Sequence, residues 1–526
     1  MATSSATRLL LFCLISISIA RTCYSFSNEE FLQCLNLHTK TSTGNLSKLL
    51  YYPNTTSYSN LLLSSISNTR FTTPQTPKPL LIFTPSHESH VQASVLCCKY
   101  YALSLRVRSG GHDFEGLSFH SLEKQPFIIL DFINFQSVII DVKHSTALVE
   151  VGATIGDVYY HIAKQTTIFG FPAGTCPTVG VGGHISGGGI GTLVRKYGVA
   201  ADNVLDVRLV DLHGRILDKG SMGEDLFWAV RGGGAASFGV VLSWKLRLVP
   251  VPQTVTVFNV SKSLEDGAID IIDKWQHVAH NLPEDLFIET VIQTILNGTK
   301  GVEVIFNGLY LGKSYKALEV MNNSFPEMGV GVKDLKEMNW IQSVMSFGFY
   351  PVDSPLEILT DRSLQPKVNF KAKSDYVVNL LPRAALKILW DSLLQVEAAS
   401  ISFEPYGGRM AEIPESQIPF PHRKGTLFNI VYLVGWHNDS EKSLNWITKL
   451  YNQMTPYVSK NPRCAYLNYR DIDLGRNAGR NTSYSMAEVW GHKYYKSNFK
   501  RLAMVKGEVD PENFFWNEQS IPALVF

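Results

Sequence analysis

The chain has little charge, and none of it is concentrated. Only 18% of residues are Asp, Glu, Lys or Arg, the formal net charge is +2, and no long run carries one sign. A surface of that kind gives no electrostatic footprint for nucleic acid or an anionic membrane. Metal motifs are missing too: there is no CxxC and no Cys/His quartet, and His87-Glu-Ser-His90 misses the HExxH spacing by one residue. No glycine cluster is followed by Lys-Ser/Thr, which excludes a Walker loop, and none forms GxGxxG squarely between strand and helix. Internal repeats and low-complexity tails are absent, so fibrous and disordered classes fall away. The one long apolar run, Leu9 to Ala20, is shorter than the roughly 20 residues that span a bilayer.

That run follows Arg8 and ends in small residues, which describes a secretory signal peptide over residues 1–25 and no membrane anchor. Its removal takes away Arg8 and Arg21. Sequons stand at Asn45, Asn54, Asn259, Asn297, Asn322, Asn438 and Asn481, and together with the leader they predict a glycoprotein of the secretory pathway, extracellular, apoplastic or vacuolar. Beyond the leader five cysteines remain: Cys34, Cys97, Cys98, Cys176 and Cys464. An odd number in an oxidising compartment means that at least one does something other than pair internally, and Cys176 is the candidate.

A chain of 526 residues is too long for one core, so two domains are expected. From Leu80 to about Pro252, short β-rich runs alternate with glycine clusters and helical stretches, as in an α+β or α/β nucleotide-binding domain. Val249-Pro-Val-Pro252 marks a boundary. Beyond it, amphipathic patterns at Gly267–Leu282, Leu381–Leu394 and Ser443–Met454 alternate with strands at Val302–Leu311, Ser400–Tyr406 and Leu427–Trp436. On the last strand, period two puts Leu427, Asn429, Val431 and Leu433 on one face. Asn429 is then either an amide satisfied by neighbouring backbone or water, or a polar group of a pocket.

Three glycine clusters carry the chemical signal. Arg106-Val-Arg-Ser-Gly-Gly-His112 follows a strand, and Gly110 and Gly111 let backbone N–H groups approach an anion. The run from Gly174 through Cys176 to Gly191 is too dense in glycine for an ordinary element, so a ligand must come close to its backbone. Arg231-Gly-Gly-Gly-Ala-Ala-Ser-Phe-Gly239 precedes a further strand. Three such clusters in one domain argue for a large dinucleotide wrapped by loops.

RSGGHDFEGLSF, AGTCPTVGVGGHISGGG, the stretch from Lys196 to Trp228, NYRDIDLG and FFWNEQSIP together resemble the berberine bridge enzyme-like oxidases, relatives of cannabinoid-forming oxidocyclases and monolignol oxidoreductases, from about Asn28 to Leu524. The resemblance implies an α+β fold: an FAD-binding domain of the vanillyl-alcohol-oxidase type (26–252 with a returning segment, 471–526) and a substrate domain (253–470) whose antiparallel sheet is backed by helices. It implies FAD bonded to both His112 and Cys176, with Arg108, Ser109, Gly110, Gly111, Gly182, Gly183, His184, Gly187 and Asn517 around it. A Cys34–Cys97 disulfide is implied, leaving Cys98 and Cys464 as buried thiols. Tyr469 matches the catalytic base, and a phenol with an ordinary pKa near 10 needs a cation or donors to ionise. Where many relatives have a lysine and a glutamine or glutamate, this chain has Asn429 and Val431; where many have tyrosines, it has Phe114 and Ile190. Those four residues describe an apolar substrate pocket. Val179 matches an oxygen gate, or is simply a small residue in a crowded loop. The function implied is oxidation of a phenolic or alkaloid small molecule by a monomer, with dioxygen as electron acceptor and hydrogen peroxide as product. A redox-neutral cyclase that retains FAD as scaffold is the alternative, and a silent binding protein the third reading.

Overall fold

A computed structural model describes residues 27–39, 45–123, 125–295 and 301–525. The leader and the sequon at Asn297 lie outside them. The other six sequon asparagines are all exposed.

Two sheets and the C-terminal helices build the first core. Ile82–Phe83, Phe127–Asp131 and Ser104–Arg108 pair in parallel, with Leu50–Tyr51 added antiparallel at the edge. Buried on both faces, the central strand Phe127–Asp131 reads as a near-continuous apolar run. Beside them stands a five-stranded antiparallel sheet in the order Val138–Asp141, Thr146–Glu150, Val240–Arg247, Val204–Val210, Ile216–Leu217. The helices Tyr484–Tyr495 and Asn498–Val509 pack into the same core through Trp490, Phe499 and Leu502. His87 caps the helix Glu88–Tyr100 by accepting from the Ser89 N–H, so the near-miss histidine pair is a helix start. That helix is joined to Asn28–His38 by the Cys34–Cys97 disulfide.

The second core lies on one face of a seven-stranded antiparallel sheet, ordered Lys336–Met338, Val255–Lys262, Val302–Tyr310, Leu286–Thr294, Ala399–Pro405, Phe428–Trp436, Asn369–Val377. Helices Ala268–Val278, Arg383–Leu393 and Ser440–Met454 cover that face. Arg383–Leu393 shows why: Leu386, Leu389, Trp390 and Leu393 recur at helical spacing, and all are buried. The fold is thus α+β, an FAD-binding domain of the vanillyl-alcohol-oxidase type with a substrate domain of sheet backed by helices. Alternation sends the sheet's other face, with Phe287, Glu289, Glu404 and Leu433, toward the first core and a cavity between.

A buried ion cluster joins the two parts. Lys371 and Lys373 project from one face of Asn369–Val377, each 3% exposed. Lys371 binds Glu115 and, at 2.7 Å, Asp471; Lys373 binds Asp471 at 2.8 Å and Asp473 at 2.7 Å. Arg70 also reaches Glu115. Removing one partner of a buried network leaves uncompensated charge, at a cost of about 3–5 kcal/mol. Lys371→Met is therefore expected to lower unfolding stability in denaturant by about that much, whereas a loss under 1 kcal/mol would show that solvent reaches the cluster.

Candidate active site

The strand Ser104–Arg108 delivers the first glycine cluster to the cavity. Gly111 has φ +71°, and a Cβ there would lie against the Ser65 carbonyl, so only glycine fits. His112 follows, its Nε2 3.0 Å from the Thr178 hydroxyl. Cys176 reaches the same hydroxyl from another side, Sγ to Oγ1 3.5 Å. One threonine therefore brings together two nucleophiles 64 positions apart. Burial, with Lys367 adding, pushes the His112 imidazole down to about 4, so it is neutral at physiological pH. His184 is likewise lowered to about 4 by burial, and its Nε2 accepts from the Gly174 N–H at 3.0 Å.

These residues line a cavity of about 770 Å³, together with Ser109, Gly110, Gly182, Gly183, Val179 and Asn517. Arg108 and Gly187 do not line it. The Arg108 guanidinium is spent on Asp131 and on the carbonyls of Leu61 and Leu62, and Gly187 packs against Asn468. Arg106, two residues earlier, does reach the cavity and pairs with Glu518.

The cavity's chemistry suits a large ligand rich in acceptors. Arg106 Nη1, Arg470 Nη1 and Trp516 Nε1 are buried donors on its wall with no protein partner. Gly183 lines it too, and a Cβ there would meet no atom within 4 Å. The donor set and the open glycine fit FAD.

The remaining wall is aromatic and acidic. Phe114 stacks on Tyr469 at 5.6 Å and meets Phe370 edge-on at 5.1 Å. Ile190, Phe287, Phe347 and Leu433 complete the apolar lining. The Tyr469 hydroxyl donates to Glu404 Oε1 at 2.8 Å, and Asn429 Nδ2 donates to Oε2 of the same carboxylate at 2.7 Å. Asn429 is thus fully buried behind Glu404, and neither it nor Val431 lies on the wall. Burial, Glu404 and Tyr466 hold the Tyr469 phenol well above its usual range, so it is a donor. Burial raises Glu404. Glu289, next to it across the strands, is pushed up to about 7 by burial and by Glu404. Neither carboxylate stands out in the sequence, although Ser400, Ser402 and Glu404 alternate with Ala399, Ile401 and Phe403.

Among the described residues one His/Cys/Asp/Glu group is compact enough to hold a metal ion: Cys34, His38 and Cys97. Its two sulfurs are consumed by the disulfide.

A fold of this kind around a glycine-lined cavity with a neutral histidine and a free cysteine defines an FAD-linked oxidoreductase. Residues 79–220 match the family described as FAD binding domain, and residues 465–522 the family described as Berberine and berberine like. The tetrahydroberberine oxidase of Berberis wilsoniae is 51% identical, over 98% of each chain. Among solved structures, Phl p 4, a grass pollen allergen with glucose dehydrogenase activity, is 45% identical with a TM-score of 0.90, over 94% of this chain and all of that one. A variant of berberine bridge enzyme described as a reticuline dehydrogenase is 36% identical with a TM-score of 0.88, over 94% of this chain and 99% of that one. The chain belongs to the berberine bridge enzyme-like family of plant FAD-linked oxidases, and FAD is its cofactor.

Proposed function

We propose that this chain oxidises a plant specialised metabolite, phenolic or alkaloid, in a cavity where FAD is held through both His112 and Cys176 and the proton leaves through Glu404. The observation that carries the reading is the Tyr469–Glu404 hydrogen bond on the wall of the cavity that also contains His112 and Cys176. Bound FAD supplies a hydride acceptor whose electrons pass on to dioxygen, giving hydrogen peroxide. We assign residues 26–252 and 471–526 to the cofactor half and 253–470 to the substrate half; the core behind the seven-stranded sheet draws on the substrate half alone, while Trp340, Met345, Tyr376, Tyr406 and Phe420 of that half also pack into the first core. The apolar lining suits a fused-ring or phenolic skeleton better than a sugar. A secretory-pathway location is supported by the leader, the disulfide and the exposed sequons.

His112 is neutral and Cys176 is unpaired, so each offers a free lone pair or thiol for a bond to an electrophilic ring. Acid-precipitated protein is expected to stay yellow, with one flavin linking peptides that contain His112 and Cys176. His112→Ala and Cys176→Ala should each leave a single bond, and the double variant none. Flavin released in full from the unaltered protein would disprove the tether.

The proton acceptor follows from the electrostatics. A phenol facing two carboxylates and no cation does not ionise, so Glu404 receives the proton, directly or as the Tyr469 hydroxyl passes its own along. A carboxylate accepts only when ionised. Flavin reduction should therefore rise with pH along a limb above the ordinary carboxylate range and level off below the phenol range of about 10. Glu404→Gln should remove that limb and slow reduction roughly 10²- to 10⁴-fold. Tyr469 lowers the Glu404 pKa by its hydrogen bond, so Tyr469→Phe should move the limb to higher pH. Rates still climbing through pH 10 would return the role to the phenol. Turnover without oxygen and without flavin bleaching would establish the redox-neutral cyclase instead.

Relatives of this fold are named both as oxidase and as dehydrogenase, so the electron acceptor is not fixed by architecture. Val179 lines the cavity three residues from Cys176. If its small side chain leaves room for dioxygen, Val179→Leu should slow reoxidation of the photoreduced enzyme in air at least tenfold, about 1.4 kcal/mol of barrier. Equal rates would make Val179 packing alone.

A further inference from the structure

Among the described residues, every fully buried carboxylate is matched by a cation of the protein: Asp131 by Arg108, Asp375 by Arg463, Asp510 by Lys506, Glu518 by Arg106, and the others likewise. That is the expected arrangement, because an unpaired charge away from water is costly. Glu289 and Glu404 are half-buried and differ in kind: they face an enclosed cavity, not bulk solvent, and have no cation of the protein beside them. Both stand on the cavity wall. They stand one step beyond the pair Thr290–Phe403, Glu289 before Thr290 and Glu404 after Phe403, and so face one another on the same side of the sheet. The groups that meet Glu404 are the Tyr469 hydroxyl and the Asn429 amide; the one that meets Glu289 is the Asn307 amide, at 3.4 Å. No lysine, arginine or histidine contributes to the field at either carboxylate.

Behind them, off the cavity wall, the local field is also that of acceptors and not of a cation. Asn429 is fully buried and its Oδ1 has no partner, while its amide nitrogen is fixed on Glu404. Phe114, Phe287, Phe347, Phe370 and Tyr469 supply aromatic surface on the same wall, which attracts an organic cation through its ring faces. A hard divalent ion is a poor fit, since it takes six or more oxygen ligands, and the pair belongs to no cluster of three ligating side chains.

We propose that Glu289 and Glu404 form an ammonium-binding subsite, so that the substrate is an amine carrying its positive charge on or beside an aromatic skeleton. The substrate's nitrogen supplies at these two cavity-facing carboxylates the counter-charge that an arginine or lysine supplies at the buried ones. This deepens the reading of the cavity as a substrate chamber and rests on it. A bound ammonium also has an acceptor for its proton: the N–H bond breaks, its electron pair remains on nitrogen as a lone pair, and the proton passes to a carboxylate oxygen. Burial lifts the pair toward neutrality, where one proton can be exchanged near physiological pH.

The test is binding to the oxidised holoenzyme, followed by calorimetry and by the flavin absorbance spectrum, with no turnover required. The probes are benzyltrimethylammonium, which carries a fixed charge, and neopentylbenzene, its uncharged carbon isostere. The cation should bind at least tenfold more tightly. Its affinity should rise as pH is raised through about 7, because Glu289 ionises there, while that of the isostere stays flat. The titratable groups facing the pair are Tyr469, Tyr466 and Tyr406, whose phenols stay protonated across that window. Glu289→Gln and Glu404→Gln should each erase most of the preference and leave the isostere's affinity unchanged, with Glu289→Asp retaining it. Equal binding of the two probes, a preference surviving both glutamine variants, or calcium ion displacing the organic cation at equal concentration would overturn the subsite. Failure here with metabolites still bleaching the flavin leaves the oxidoreductase reading standing. Charge-selective binding with no metabolite bleaching the flavin would sink that reading and not the subsite.

Discussion

Lys371 is the residue on which the arrangement of the site depends. It reaches from the outermost strand of the substrate sheet to Glu115, three residues after His112, and to Asp471, two residues after Tyr469. Arg470 closes the same junction by binding Asp113 at 3.1 Å. The histidine and tyrosine segments, more than 350 residues apart in the chain, are thus fixed against one another by fully desolvated charge. Hydrophobic packing alone is non-directional and would let two cores slide; a multidentate ion cluster does not. The cost of burying it is offset because every member of the cluster has an opposite charge within reach.

Against that saturated junction, the substrate wall is conspicuous for having acid and no base. A lysine near Tyr469 would favour phenolate; a glutamate there favours phenol and makes the hydroxyl a donor. Asn429 then works as a positioning residue, holding one oxygen of Glu404 while Tyr469 holds the other. The carboxylate is left with a fixed orientation and a raised proton affinity, which are the two things a proton acceptor needs.

Much of this was legible in the chain and some of it was not. The glycine clusters marked the cofactor loops because crowding by a ligand leaves a compositional trace. The Val204–Val210 strand follows from β-rich composition, and the apolar period of Arg383–Leu393 and Ser440–Met454 gives those helices to within a few residues. Phe114, Ile190 and Val179 do line the cavity. Glu404 and Glu289 escaped notice for a physical reason: a strand with one wet face and one dry face reads the same whether the wet face meets solvent or a cavity. Ser400, Ser402 and Glu404 look like an ordinary solvated edge until the first core is placed opposite them. Asn429 meets neither of its two readings as they stand: its nitrogen is held by the Glu404 side chain and not by backbone or water, and it backs the pocket without lining it.

The C-terminal segment closes the cavity with Arg470, Trp516 and Asn517, against loops of residues 80–250 on one side and the seven-stranded sheet on the other. The cofactor chamber therefore has no complete wall until Trp516 and Asn517 have been made and docked. On a ribosome the N-terminal sheets can assemble as they emerge, yet two of the three unpaired donors that await FAD, Arg470 and Trp516, come late. A closed cofactor chamber consequently requires the docking of a segment remote in sequence, so flavin retention is coupled to completion of the fold.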